Sequence, residues 1–173
     1  MSIKQWIALC ALGCALPASA GSIHSIYTPL TGCTVVEVFA ESGASIRRCP
    51  GVAGHHLLLE DDDDRQSVTI VAPDGTRHPL RYWSVITGGF STVGEQAEWR
   101  VVRSRKTARP VALIVRVHAH ENPDAPNERT SYLAVARKIL GTFCVTHRVK
   151  DSRRANAIAR HAADGSKGSV CLK

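Results

Sequence analysis

The chain has 173 residues, 44% of them hydrophobic, and a formal net charge of +7 at pH 7. This length predicts one domain of ordinary size with a buried core. The sequence contains neither a repeat nor a low-complexity segment, which excludes a repeat protein. The basic charge is compatible with anionic partners such as lipid headgroups, cell-wall polymers or an acidic protein face.

The chain begins with the features of a secretory signal peptide. Lys4 precedes an apolar run at 6–16, and the tripeptide Ala-Ser-Ala ending at Ala20 is a small-residue cleavage site. The run is too short for a membrane span, which takes about 20 residues. Lipid attachment at Cys14 is disfavoured, because the branched residue expected three positions upstream is missing.

We therefore expect residues 1–20 to be removed near Ala20 and residues 21–173 to form a single exported β-rich domain. The location would be the periplasm or the extracellular medium. The mature chain contains no second hydrophobic run, so we expect no integral membrane span in it.

Cleavage would remove two of the six cysteines and leave Cys33, Cys49, Cys144 and Cys171. An even number of cysteines in an oxidising compartment predicts two disulfides, for which three connectivities are possible. We favour Cys33 with Cys49 and Cys144 with Cys171, because each pair is close in sequence. The spacing lacks the Cys-x-x-Cys pairs of a zinc or redox site.

After a polar lead-in, β-branched and alternating segments are separated by turn residues, which is typical of short strands. Strands are predicted at 34–40, 45–49, 55–60, 66–72, 77–83, 97–103, 110–120, 130–139 and 142–149. Pro79 indicates that the fifth of these is an edge strand or is interrupted. The glycine-rich stretch at 84–96 is predicted to be a loop with a short helical turn before it.

The apolar period becomes helical only near the end of the chain. Residues 151–164 predict one helix, with Asp151 or Ser152 as its cap and Gly165 at its end. Its apolar stripe is Ala155, Ile158, Ala159 and Ala162. The fold class is therefore mostly β, an antiparallel sandwich or barrel of about eight to nine short strands with one C-terminal helix. The helical crossovers of a parallel sheet are absent from the pattern.

A pair of histidines on one strand is the first candidate site. Residues i and i+2 of a strand point the same way, so His118 and His120 could reach one metal ion, with Glu121 or Glu128 as a carboxylate ligand. The pattern resembles the first metal motif of cupins, although the flanking glycines and the second motif of that family are missing. Arg116 on the same face argues against a cation. The alternative is a polar, solvent-facing strand.

A basic loop is the second candidate site, for an anion or an anionic partner. Its residues are Arg103, Arg105, Lys106 and Arg109. They could bind a phosphate or carboxylate by charge-assisted hydrogen bonds. Because aromatic residues are poorly interleaved with these charges and the chain is expected to be exported, we expect no nucleic-acid partner. The alternative is an ordinary charged hairpin loop.

Two further clusters have ordinary structural explanations. His55 and His56 precede the acidic run 61–64, which lacks the spacing of a calcium loop and reads as a solvated hairpin tip. The aromatic residues near the glycine-rich stretch could line the bottom of a binding groove, but such residues more often belong to the hydrophobic core. They are Tyr82, Trp83, Phe90 and Trp99.

The sequence favours a non-enzymatic binding module over an enzyme. It has no Gly-x-Ser-x-Gly elbow, and with both disulfides formed no cysteine nucleophile remains. The expected partner is an envelope protein or an anionic cell-surface component, reached through a loop or an exposed strand edge. In size and cysteine usage the chain is similar to small exported β-barrels that inhibit lysozyme, without their signature residues. No cofactor is expected; the alternative is a protein or enzyme that uses a divalent metal at His118 and His120.

Overall fold

The computed structural model describes residues 22–104, 107–122, 124–125, 127–165 and 168–173. The predicted signal peptide therefore lies outside the described residues. The strands are β1 (Ser22–Pro29), β2 (Thr34–Val38), β3 (Ser45–Cys49), β4 (His56–Asp62), β5 (Arg65–Val71), β6 (Arg77–Pro79), β7 (Ser91–Arg103), β8 (Ala108–Ala119), β9 (Thr130–Ile139) and β10 (Thr142–Lys150). The helices are α1 (Tyr82–Val85) and α2 (Ala155–Asp164).

All ten strands belong to one open sheet. Its order is β10-β9-β8-β7-β5-β4-β3-β2, with β1 paired to β7 and β6 paired to β5. Every pairing is antiparallel except a single parallel contact between Arg65 of β5 and Ser91 of β7. The predicted mostly β, antiparallel fold with a C-terminal helix is confirmed, and β2 and β10 are the ends of the path.

Both halves of the sheet contribute to one main core. Trp99 on β7 and Phe143 on β10 are fully buried. The ring of His55, which precedes β4, contacts both: its centroid lies 6.1 Å from that of Trp99 and 6.2 Å from that of Phe143. Because β4 and β10 are far apart in the strand order, these contacts require the sheet to fold back on itself. Apolar side chains of β4, β5, β7, β8 and β9 fill the space between its halves.

Helix α2 covers the opposite face of β8 and β9. Its three buried residues are Ala155, Ala159 and Ala163, and they pack in a small second cluster with Ile114 and Leu133, among others. The predicted helix is confirmed, but its buried stripe is rotated, because Ile158 is 49% exposed. The helix begins at Ala155 without a side-chain hydrogen bond to its first turn, so neither predicted cap is used.

Three segments differ from the sequence prediction. The polar lead-in forms β1, which pairs along β7 from Ser22↔Arg103 to Pro29↔Gln96. Strand β6 ends at Pro79 and α1 follows, so the strand predicted to continue to 83 is wrong beyond the proline. Residues 91–96 are strand rather than loop, and a register shift accommodates this stretch of β7 against β8.

Two disulfides join the pairs favoured by spacing. Cys33 is bonded to Cys49 with a Cα–Cα distance of 4.7 Å, and Cys144 is bonded to Cys171 at 5.6 Å. The first ties the start of β2 to the end of β3. The second attaches the C-terminal tail to β10, where the backbone N–H of Leu172 donates to the Val145 carbonyl at 2.8 Å.

Among the described residues, no helix combines the length and the apolar character needed to cross a membrane.

Candidate functional site

The outer edge of β2 carries a row of exposed apolar side chains. Every residue of β2 is exposed, whereas the middle of β4 is buried. Val35, Val36 and Val38 are 55%, 53% and 63% exposed, and Phe39 just beyond them is 42% exposed. Within the described residues β2 pairs only with β3, so its other side presents backbone N–H and carbonyl groups together with apolar side chains.

The geometry of this edge is fixed at both ends. The Cys33–Cys49 disulfide holds its start, and the turn after it is closed by a hydrogen bond from the Phe39 N–H to the Ala44 carbonyl at 2.8 Å. A register shift between Val35 and Glu37 adds a bulge in the middle. The result is a short, anchored strand with both faces uncovered.

The sequence predicts β2 as a strand but does not predict that the strand is exposed. A run such as Thr-Val-Val-Glu-Val is β-branched and mostly apolar, which is the pattern expected of a buried strand. The signal that was available is Glu37, since a carboxylate inside a strand of this kind is typical of an exposed edge.

The histidine pair lies near the end of β8. His118 is half-buried opposite Thr92 on β7 and Ser131 on β9. Burial lowers the pKa of His118 below its ordinary value, and the positive charges of Arg116 and Arg129 lower it further. This surrounding favours a neutral imidazole, which is the protonation state of a metal ligand, but the same positive charges repel a cation.

The neighbouring carboxylate is already engaged. The Tyr132 hydroxyl donates to both carboxylate oxygens of Glu121, at 3.1 and 2.9 Å, and the His120 backbone N–H donates to the Phe90 carbonyl at 2.9 Å. In the part of the chain that the structure describes, no group of three or more His, Cys, Asp or Glu side chains is arranged to hold a metal ion. The described residues therefore add no third ligand to His118 and His120.

The basic loop is the tip of the β7–β8 hairpin. Arg103 pairs with Ala108 and Arg109 pairs with Val102, and both arginines are exposed. Arg105 and Lys106 lie outside the described residues. The described part of the loop thus presents two arginines to solvent on adjacent strands.

Arg100 is close to this loop in sequence but does not belong to it in the structure. It is buried beneath α2, where its Nε and Nη2 donate to the Asp164 carboxylate at 2.8 and 2.6 Å. Glu98 beside it accepts from Arg160 Nε at 2.7 Å. These ion pairs attach α2 to the sheet, which is a structural role.

The acidic run and two of the four aromatic residues have structural roles, whereas Phe90 is 52% exposed and Trp83 is half-buried. Asp61 accepts from Arg47 and Gln66, and the β4–β5 turn follows at 63–64 with positive φ angles. Tyr82 and Trp99 are fully buried, and burial raises the pKa of the Tyr82 hydroxyl. Tyr82 and Trp99 are therefore core residues and do not line a binding groove.

Comparison with known proteins finds no match to the chain, whether among family models, curated proteins or solved structures.

Proposed function

We propose that this protein is a non-enzymatic binding module that recognises a protein partner by adding a strand of that partner to the open edge of β2. The single observation that supports this function is the exposure of Val35, Val36 and Val38 on a strand that ends the sheet.

An exposed apolar edge is an aggregation hazard, and natural proteins normally cover it, charge it or keep it short. Here Glu37 and a bulge interrupt the edge, yet three valines and Phe39 stay in solvent. In strand addition the backbone hydrogen bonds supply affinity and the alternating side chains supply specificity. We expect the partner strand to carry apolar side chains that cover these valines.

The proposal includes export to an oxidising compartment. Two disulfides within a small β domain point to such a compartment, because cytosolic thiols are kept reduced. The Cys33–Cys49 bond also preorganises the edge, so less conformational entropy is lost when a partner strand binds. An inhibitor of a secreted hydrolase is one form that such a module takes.

The experiment is a comparison of two baits in an envelope extract of the producing cells. Val36→Lys places a charge in the middle of the β2 edge, whereas Leu140→Lys places the same charge on the exposed β9–β10 turn, where Leu140 has no burial to lose. We expect the wild-type protein and Leu140→Lys to recover the same stoichiometric partner and Val36→Lys to lose it.

Both variants are first checked for an unchanged melting temperature, since each replaces an exposed residue. Equal recovery by Val36→Lys and the wild-type protein, or no partner for any bait, would contradict the proposal.

A further inference from the structure

A second surface lies at the other end of the sheet. A groove of about 860 Å³ runs along the outer side of β10, from Thr146 to Lys150. Besides β10, it is lined by Ser84 and Val85 of α1, by Ile158 of α2, and by Leu172 and Lys173 of the tail. A smaller cavity of about 250 Å³ continues past Val85 to Arg81.

The groove combines apolar and basic side chains. Val85, Val149, Ile158 and Leu172 supply its apolar walls. Its charged side chains are Arg148, Lys150 and Lys173, joined at the far end by Arg81, and no aspartate or glutamate is among the described residues that line it. Its charge is therefore complementary to an acidic ligand.

Arg148 is held in place rather than left mobile. Its Nη1 donates to the Ile86 carbonyl at 2.7 Å, and its guanidinium lies 5.2 Å from the centroid of the Tyr132 ring. Lys150 and Lys173 are exposed. One cation is thus preorganised, and two can adjust to a bound segment.

The backbone of β10 already accepts a segment of chain on this side. The Leu172 N–H donates to the Val145 carbonyl at 2.8 Å, and the Cys144–Cys171 disulfide holds the tail there. Beyond Val145, no strand within the described ranges pairs with the outer side of β10. The open stretch, 146–150, has five residues and spans about 17 Å, enough for a short extended segment.

We infer that this groove binds an extended acidic polypeptide segment, which adds to the β10 edge at 146–150 and places apolar side chains against Val149 and Ile158 and carboxylates beside Lys150 and Lys173. The site is separate from the β2 edge, so a negative result at one surface does not bear on the proposal for the other. It gives the domain a second contact surface, at the opposite end of the sheet.

The test uses the mature protein and a fluorescent peptide of alternating valine and glutamate, with a peptide of alternating valine and lysine as the matched probe. Lys150→Glu/Lys173→Glu reverses two charges in the groove, and Arg103→Glu/Arg109→Glu makes the same net change on the β7–β8 hairpin. We expect the acidic peptide to bind, and the groove variant to bind it at least about tenfold more weakly. The hairpin variant should change its affinity less than about twofold.

Hydrogen exchange distinguishes strand addition from diffuse attraction. Backbone amides within 146–150 should gain protection when the acidic peptide binds. The inference is overturned if neither peptide binds, if the lysine peptide binds as tightly, or if the two variants lose affinity equally. It is also overturned if those amides gain no protection, or if the groove binds vesicles of anionic lipid but not the acidic peptide.

Discussion

Arg100 shows how one side chain attaches a helix to a sheet. Its side chain is 10% exposed and donates two hydrogen bonds to Asp164 on α2, with Ser25 as a further acceptor. Without the Asp164 carboxylate, this buried cation keeps, among the described residues, only a longer ion pair with Glu98, at 3.6 Å. Breaking one partner of a buried pair costs more than the intact pair contributes.

Asp164→Asn is therefore expected to lower the free energy of unfolding by about 1–3 kcal/mol, less than for a fully buried pair because the Asp164 side chain is 32% exposed. Urea denaturation measures the change. The matched control is Asp63→Asn, which removes an exposed pair with Arg65 and should change stability by less than about 0.5 kcal/mol. Equal effects of the two variants would contradict this role.

His78 makes the stability depend on pH. It is buried, and its Nδ1 accepts a hydrogen bond from the Phe143 backbone N–H at 3.4 Å, which requires an unprotonated Nδ1. Burial, followed by the positive charge of Lys138, lowers the pKa of His78 below its ordinary value of 6.5. The unfolded chain therefore binds the proton more readily than the folded one.

It follows that His78 stabilises the fold fully above pH of about 6.5 and that this contribution is lost as the pH falls toward its lowered folded pKa. The free energy of unfolding should therefore decline as the pH falls below about 6.5. His78→Asn keeps an acceptor atom but cannot titrate, so its decline should be smaller; the remainder comes from His56 and His118, whose pKa values are also lowered by burial. The same decline in both proteins would exclude His78 as a cause.

At the level of elements, α2 depends on small side chains. Ala155, Ala159 and Ala163 are at most 2% exposed, so they leave no room for larger residues between the helix and β8–β9. Ala159→Leu should destabilise the protein by about 1–3 kcal/mol through overpacking. Ile158→Leu, one residue away and 49% exposed, should change stability by less than about 0.5 kcal/mol. If Ala159→Leu were neutral in thermal unfolding, the close packing would be wrong.

Local sequence patterns predicted most elements because the strands are rich in β-branched and apolar residues and turn residues separate them. Trp99, one of the aromatic residues that are more often core than part of a groove, is fully buried. Strand β1 was missed because its residues alternate weakly and its pairing partners on β7 are distant in sequence, such as Ser22 with Arg103. The extent of β7 was missed because Gly94 signals a loop, whereas here it lies close to Arg116 on the paired strand β8.

The candidate surfaces were less predictable than the elements. Local sequence does not encode which strand ends a sheet, so the sequence predicted β2 as a strand without predicting that its valines are exposed. The groove beside β10 takes side chains from α1, β10, α2 and the tail, and these come together only through the fold. Its cations Arg148, Lys150 and Lys173 are scattered in sequence and form no motif.

For the whole molecule, the disulfides close loops that the sheet alone would leave open. The Cys144–Cys171 bond spans 27 residues and encloses α2. Its replacement, Cys144→Ser/Cys171→Ser, should lower the free energy of unfolding by about 3.5 kcal/mol in the chain-entropy model. Urea denaturation under oxidising conditions measures this. The difference from the wild type should shrink when both proteins are reduced, and a difference that persists unchanged would have another cause.

We propose that the open edge of β2 is where this domain contacts a protein partner. A photo-crosslinking residue placed at Val36, with a second protein carrying it at Leu140, tests this claim directly in the producing cells. Both positions are exposed, at 53% and 102%. The account predicts a discrete adduct from Val36 and none from Leu140. Adducts of equal yield from both positions, or none from Val36, would contradict it.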